Sequence, residues 1–401
     1  MKKQMALLLM MIASSLISPV FASQNNMNQQ HTNTRANACF QNIDSHRYDF
    51  FLDLVDCKIQ DNDLPFVVSY LEENRGIKVV FLDENNIGPE GAKLLAKEVA
   101  TDFIGLDDNH IGPEGAAALA QSKSIYGFSL ANNAIGTSGA LAFAKSSTID
   151  MLTVSNNGIQ PEGITALANN PNFKLMLGVA KNTLDAASVA ALVNNKNLKG
   201  IDVSYTNFGL DDVAALLDRP ELETLYINGL HLGDRVAKVL AQKKTILFLD
   251  VAENDLTAEG AAAIANFLPE DFMDLNISYN PIGDRGIAAL AKANIPQYVY
   301  LSVEGDNIGD EGAYALGNAT IDMFDLVISH NHLTAAGIRA LEDSSYIHYF
   351  DASDNDANQI QSAQSAKHSK TKFAKINSYC TNKVDQKCLT YLRKHTKSKV
   401  G

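Results

Sequence analysis

The chain has 401 residues, of which 46% are hydrophobic and 20% are charged, and its formal net charge at pH 7 is −13. This composition supplies enough aliphatic side chains for a large core, and the negative charge gives no reason to expect a nucleic-acid ligand. After residue 22 no apolar stretch approaches the length of a transmembrane helix, so we expect no membrane span.

The first 22 residues have the three parts of a secretory signal peptide. Lys2 and Lys3 supply the positive start, residues 5–17 form an apolar run too short to span a bilayer, and a small residue, Ala22, ends the segment. Cleavage is therefore predicted after Ala22, and the mature protein is expected to be secreted or periplasmic. Residues 23–37 are polar and are predicted to be a disordered linker.

A repeated unit fills residues 38–358, which we predict to be a solenoid with an N-terminal cap. The sequence Ile-Gly-Pro-Glu-Gly-Ala at 87–92 recurs at 111–116, and an alternating apolar segment ending in Asn precedes each copy. We number each unit from this Asn-like position, the index residue. The thirteen index residues are Cys57, Asn85, Asn109, Asn133, Asn157, Asn182, Thr206, Leu230, Asn254, Asn280, Asp306, Asn331 and Asn355. Such a sustained period indicates a repeat array rather than separate globular domains.

Each unit predicts one short strand and one short helix. Apolar residues five and three places before the index residue alternate as in a strand with one buried face. The index Asn is expected to bond backbone groups as the chain leaves the strand. A Gly-Ala-x-x-Leu-Ala helix follows, and Pro89, Pro113 and Pro161 suit its first turn. One strand and one helix cannot enclose a core alone, so the units must stack.

The pattern Asn-x-Ile-Gly-x-Glu-Gly-Ala-x-x-Leu-Ala resembles the leucine-rich repeats of ribonuclease inhibitor and of Ran GTPase-activating protein. Its period, with Gly-Ala-Leu-Ala at 139–142, more closely resembles the GALA-type repeats of exported bacterial effectors. The resemblance implies an α/β leucine-rich-repeat solenoid, a horseshoe with a parallel concave sheet and short convex helices. It also implies that the concave face binds a protein partner.

Four cysteines follow the leader, two at each end of the mature chain. Cys39 lies near the predicted cap and Cys57 is an index residue. The sequence leaves two alternatives, a Cys39–Cys57 disulfide or a free Cys57 in the core. Cys380 and Cys388 are predicted to pair with each other. They lie in a basic C-terminal tail or cap, 359–401, which contains ten Lys or Arg and one acid. This tail is either a solvated extension or a contact for an anionic partner.

Acidic side chains concentrate on the predicted concave face. Without the leader lysines and the tail, the repeats carry a charge of about −24, and acids occupy twelve of the 39 positions four, two and one residues before an index residue. A concavity lined by one sign of charge favours an oppositely charged partner, and tyrosine is favoured at binding hot spots. The predicted partner-binding residues are Asp53, Asp56, Asp83, Glu84, Asp107, Asp108, Tyr205, Tyr226, Asp250, Glu253, Tyr279 and Glu304.

These features favour a non-enzymatic, monomeric protein-binding module whose partner is a basic protein, in the specific form of a bacterial virulence factor that engages a host protein. The sequence lacks H-E-x-x-H, Walker and G-x-S-x-G motifs, so we predict no catalytic residue, metal or cofactor. Four alternatives stay open. The acidity serves solubility alone; the basic tail folds back onto the acidic face; the protein regulates or adapts an enzyme of the GTPase-activating or ubiquitin-ligase type; or it has a structural role in the cell envelope.

Overall fold

A computed structural model describes residues 34–356, apart from 42, 44–46, 49, 242, 244, 267, 270–271, 294–298 and 322. The leader, most of the linker, and the tail with Cys380 and Cys388 lie outside the described residues, so the predictions for them stay predictions. Among the described residues, no helix is long and apolar enough to cross a bilayer. The described chain divides into two compact units, the first ending at Asn207 and the second beginning at Phe208.

The first unit alternates short strands with short helices. Its helices are α1 (Thr34–Gln41), α2 (Leu64–Glu73), α3 (Pro89–Glu98), α4 (Gly112–Leu119), α5 (Gly136–Phe143), α6 (Pro161–Ala168) and α7 (Ala186–Asn194). Its strands are β1 (Arg47–Tyr48), β2 (Phe51–Asp53), β3 (Val79–Phe81), β4 (Phe103–Gly105), β5 (Gly127–Ser129), β6 (Met151–Thr153), β7 (Met176–Gly178) and β8 (Gly200–Asp202). β1 pairs antiparallel with β2, and β2 to β8 pair in parallel in chain order.

The second unit continues the same alternation. Its helices are α8 (Leu210–Leu217), α9 (Asp234–Leu240), α10 (Ala258–Ala265), α11 (Gly283–Leu290), α12 (Asp310–Gly317) and α13 (Ala335–Glu342). Its strands are β9 (Thr224–Tyr226), β10 (Phe248–Asp250), β11 (Asp274–Asn276), β12 (Val299–Ser302), β13 (Met323–Val327) and β14 (Ile347–Asp351). These six strands also pair in parallel and in chain order, with one register shift at Val299/Tyr300.

The core lies where the predicted apolar positions of each repeat meet. In the repeat of Asn85, the strand-side residues Val80 and Leu82 and the helix residue Leu95 are all fully buried. The same positions are buried in the following repeat, at Ile104, Leu106 and Leu119. Each of the two compact units therefore encloses its core by stacking repeats, which confirms the α/β solenoid that the period predicts.

The index residues tie neighbouring repeats together through the backbone. Asn109 is buried, and its side-chain amide donates to the carbonyl oxygens of Leu106 at 3.1 Å and Asp107 at 3.1 Å in its own repeat. It also donates to the carbonyl oxygen of Leu82 in the preceding repeat at 2.9 Å. Its amide oxygen accepts from the backbone N–H of Ile87 at 2.9 Å. The predicted role of the index Asn is therefore confirmed: it pairs backbone groups that the turn would otherwise leave buried and unpaired.

Two index positions depart from this arrangement within the second unit. Leu230 has no polar side chain to bond the backbone. Asp306 is fully buried, and its Oδ1 accepts from the backbone N–H of Asn280 at 2.6 Å, but its Oδ2 has no hydrogen-bond partner. Burial raises the pKa of Asp306 well above its ordinary value. A carboxylate cannot replace the donating amide of Asn, whereas a protonated carboxyl has one proton to donate.

The glycines inside the helices allow close contact between neighbouring helices. A Cβ at Gly115 of α4 would lie 3.0 Å from the Cβ of Ala92 in α3 and 2.8 Å from the Ile111 side chain. A Cβ at Gly139 of α5 would likewise lie 2.9 Å from the Cβ of Ala116. Since such contacts leave no room for a methyl group, the glycine stripe sets the spacing at which successive helices stack.

A disulfide joins the N-terminal cap to the first repeat. Cys39 in α1 is bonded to Cys57, with Cα atoms 6.1 Å apart, which confirms the pairing that the sequence left open. The Phe40 ring of α1 also packs on the Phe66 ring of α2, with centroids 4.6 Å apart. The cap is therefore held to the first repeat by a covalent bond and by an aromatic contact.

Candidate partner-binding surface

The residue immediately before each index residue has the same unusual backbone conformation throughout. Its φ lies between 51° and 66° in all thirteen repeats, whereas the strands end three residues earlier. These residues therefore lie on the turn that leaves the strand, and not on the strand itself as the sequence predicted. We call them the edge column: Asp56, Glu84, Asp108, Asn132, Asn156, Lys181, Tyr205, Gly229, Glu253, Tyr279, Gly305, His330 and Asp354.

A repeated backbone hydrogen bond fixes the edge column. The N–H of Glu84 donates to the carbonyl of Asp107 at 2.9 Å, and the N–H of Tyr279 donates to the carbonyl of Glu304 at 2.7 Å. The left-handed conformation favours Gly, Asn and Asp, which occupy seven of the thirteen places. That preference is the sequence signal that would have revealed the turn. The remaining places hold Glu, Lys, Tyr and His, whose side chains carry charge or aromatic surface.

In the first unit, the edge column begins with three consecutive carboxylates. Glu84 and Asp108 are exposed, and Asp56 is half-buried beside Lys58, with Nζ–Oδ1 at 2.5 Å. Neighbouring strands lie about 4.8 Å apart, so the side chains leave the backbone at intervals of about 5 Å. The structure therefore brings these three predicted site residues together as an acidic row on a fixed backbone.

Two other predicted acids of the first unit bond the backbone of the sheet. The Asp83 carboxylate accepts from the N–H of Asp107 at 2.7 Å, and the Asp107 carboxylate accepts from the N–H of Ala131 at 2.6 Å and from the Ser129 hydroxyl at 2.6 Å. Burial raises the pKa of Asp83 well above its ordinary value and that of Asp107 to about 6, and each is raised further by a neighbouring aspartate. These two residues therefore hold successive repeats together.

Asp53 and Asp250, four places before their index residues, bond their own backbone. Asp53 accepts from the N–H of Val55 at 3.2 Å, and Asp250 accepts from the N–H of Ala252 at 3.1 Å. Asp250 is buried, and its second oxygen accepts from the amides of Asn228 at 2.9 Å and Asn276 at 3.0 Å. Burial raises the pKa of Asp250 to about 7, although these hydrogen bonds lower it. The sequence treated this carboxylate as an outward charge, whereas the structure surrounds it with amides.

The three predicted tyrosines have different surroundings. Tyr226 is only 2% exposed. Tyr205 is half-buried, and the Nζ of Lys181 lies 4.4 Å from its ring centroid. Tyr279 is 39% exposed, and partial burial together with the neighbouring Glu304 carboxylate raises the pKa of its hydroxyl. Of the three, Tyr279 offers the largest accessible surface.

In the second unit, two residues of the edge column, His330 and Asp354, form a chain of polar side chains with Glu304. The Nδ1 of His330 lies 2.9 Å from Glu304, and its Nε2 lies 3.5 Å from Asp354. These contacts link side chains of three successive repeats. Glu253, another predicted residue, is a half-buried member of the same column. Among the described residues, no three His, Cys, Asp or Glu side chains converge to hold a metal ion.

The strand–turn–helix unit, the index bonds and the parallel strand order define a leucine-rich-repeat fold. Four stretches match the family model described as Leucine Rich repeat: 106–120, 146–168, 242–265 and 272–291. A search of curated protein sequences gives no match.

Comparison with solved structures gives the same fold. In the crystal structure of the yeast Rad7 and Elc1 complex, the matching chain is 15% identical with a TM-score of 0.57; the alignment covers 73% of this chain and 83% of that one. An internalin from Listeria monocytogenes str. 4b F2365 is 16% identical with a TM-score of 0.40, over 80% and 94% of the two chains. At these identities the first match supports the fold alone.

Proposed function

We propose that the protein binds a basic protein partner through the acidic row of the first unit, Asp56, Glu84 and Asp108, and that it has no enzymatic role. The observation that carries this proposal is the conformation of the row: three consecutive carboxylates leave a hydrogen-bonded, left-handed turn on the same edge of the sheet. A backbone that is already fixed loses little entropy on binding, and a row of one sign attracts oppositely charged partners. Leucine-rich-repeat scaffolds in general serve protein interaction.

The proposal narrows the acidic surface expected from the sequence. Asp83, Asp107 and Asp250 already accept backbone or amide hydrogen bonds, so their oxygens are partly used within the fold. The exposed carboxylates of Glu84 and Asp108 are the charges that a partner meets first. We also propose that the protein is exported after cleavage behind Ala22 and engages a host or surface protein. Mass determination of the exported form tests the cleavage, with Ser23 as the expected first residue.

The test is partner capture by the mature protein, followed by affinity measurement with the captured protein after purification. We expect the double variant Glu84→Gln/Asp108→Asn to bind about fivefold more weakly, because two exposed charge contacts are lost. Raising the salt concentration should weaken the wild type more than the double variant, since the variant has less charge to screen.

The matched control is Glu72→Gln/Glu73→Gln, which removes two exposed charges from α2. Its affinity should equal that of the wild type. An equal loss in both double variants would show a general effect of net charge and would contradict the proposal. Binding that does not change with salt would contradict it as well.

A further inference from the structure

The edge column holds two tyrosines in equivalent positions of different repeats, Tyr205 in the first unit and Tyr279 in the second. Their φ values are 54° and 56°. At Tyr205 the edge residue of the preceding repeat is Lys181, whose Nζ lies 4.4 Å from the ring centroid. An ammonium at this distance makes a cation–π contact. The chain itself therefore shows that a tyrosine of the edge column accepts a cation.

Tyr279 has the opposite neighbour in the preceding repeat. The place that Lys181 takes beside Tyr205 is taken beside Tyr279 by Glu253, an acid. On the other side, Gly305 has no side chain, and a Cβ there would lie 2.7 Å from the Tyr279 ring. The ring thus lies against the Gly305 backbone, and the backbone N–H of Tyr279 donates to the carbonyl of Glu304 at 2.7 Å. These contacts fix the ring and leave 39% of the residue exposed.

The charges near this ring are negative. Burial raises the pKa of the Tyr279 hydroxyl, and the Glu304 and Glu253 carboxylates, which lie in the same repeat as Gly305 and in the repeat preceding that of Tyr279, raise it further. The edge residues of the second unit, Gly229 to Asp354, include no Lys or Arg. A fixed aromatic ring bordered by carboxylates is complementary to a guanidinium or ammonium group, and arginine fits best because its planar group stacks on a ring while pairing with a carboxylate.

We propose that Tyr279, with Glu253 and Glu304, binds an arginine or lysine side chain of the protein partner. This inference rests on the proposed function, since it states where on this protein one basic side chain of the partner binds. Tyrosine is among the residues that dominate binding energy at protein interfaces. The site lies in the second unit, apart in the sequence from the acidic row 56–108, so the two can be tested separately.

The experiment measures binding of a tetra-arginine peptide to the mature protein, with tetra-citrulline as the uncharged control peptide. Tyr279→Asn removes the ring and retains a residue that the edge column already holds at Asn132 and Asn156. We expect this variant to bind tetra-arginine about three- to tenfold more weakly. Tyr279→Phe keeps the ring and should stay within about twofold of the wild type. Tyr314→Ala, at an exposed tyrosine of α12, should leave binding unchanged.

Two outcomes separate this inference from the proposed function. If Tyr279→Asn binds tetra-arginine as the wild type does, while Glu84→Gln/Asp108→Asn weakens it, the Tyr279 site is wrong and the acidic row stands. If the wild type binds tetra-arginine no better than tetra-citrulline, both the basic partner and the Tyr279 site are contradicted. An equal loss in Tyr279→Asn and Tyr314→Ala would also overturn the site.

Discussion

Two columns of residues, one place apart in every repeat, behave in opposite ways. Asn109 in the index column is buried and makes four hydrogen bonds to backbone groups of two repeats. Asp108, its neighbour in the edge column, is exposed, and only its backbone is fixed by the bond from its N–H to the carbonyl of Ala131 at 2.9 Å. Adjacent residues of each repeat therefore have different roles. The index residue stabilises the fold, whereas the side chain of the edge residue is free to vary.

The largest expected effect comes from replacing an index residue. Asn109→Ala removes all four side-chain hydrogen bonds and leaves buried backbone groups unpaired, so we expect a loss of about 3–5 kcal/mol in the free energy of unfolding. Asp108→Asn, one place away, should change it by less than about 0.5 kcal/mol. Urea unfolding of the mature protein measures both. Similar losses in the two variants would break the distinction between the columns.

The second prediction uses the index position where the amide is missing. Asp306→Asn restores the donor beside the backbone carbonyls and should raise the free energy of unfolding by about 1–3 kcal/mol at neutral pH. The pKa of Asp306 is higher in the folded than in the unfolded protein. The stabilisation from its protonated carboxyl is therefore fully present below the unfolded pKa of about 3.9, and it is lost as pH rises through the folded pKa. The advantage of the variant should therefore grow with pH. A variant less stable than the wild type at alkaline pH would contradict this account of Asp306.

A smaller effect is expected in the edge column at Tyr205. Lys181→Ala removes the cation that the chain places over this ring, and a peptide cation can then occupy it. Binding of tetra-arginine should become about two- to fivefold tighter. The control is Lys174→Ala, which removes an exposed lysine outside the column. Equal tightening by the two variants would mean that net charge, and not the freed ring, is responsible.

The smallest expected effect concerns the basic tail. If an external partner is the ligand of the edge column, deleting residues 361–401 should change tetra-arginine binding by less than about twofold, because Glu84 and Asp108 are exposed with the tail present. If the tail folds back onto them, the deletion should tighten binding and raise sensitivity to protease. The paired measurement of affinity and proteolysis decides between the two.

The sequence predicted the repeat architecture well, because index Asn and apolar positions recur with a period that only stacked units explain. It also allowed the Cys39–Cys57 bond. It did not predict the left-handed conformation of the edge residues. The alternating pattern of the strand continues in the sequence beyond the last strand residue, although the backbone there already forms the turn. Because Asp250 is charged, the sequence led us to expect an exposed side chain. Its burial depends on the amides of Asn228 and Asn276, which donate to its carboxylate. Such partners come from other repeats, 22 and 26 residues away.

The central claim, that the edge column carries the binding surface, is tested most directly by chemical modification of carboxylates with and without the captured partner. Mass spectrometry would compare the labelling of Glu84 and Asp108 with that of Glu72 and Glu73 on α2. We predict that the partner protects Glu84 and Asp108 and leaves labelling on α2 unchanged. Protection of Glu72 and Glu73, with Glu84 and Asp108 labelled as before, would contradict the account.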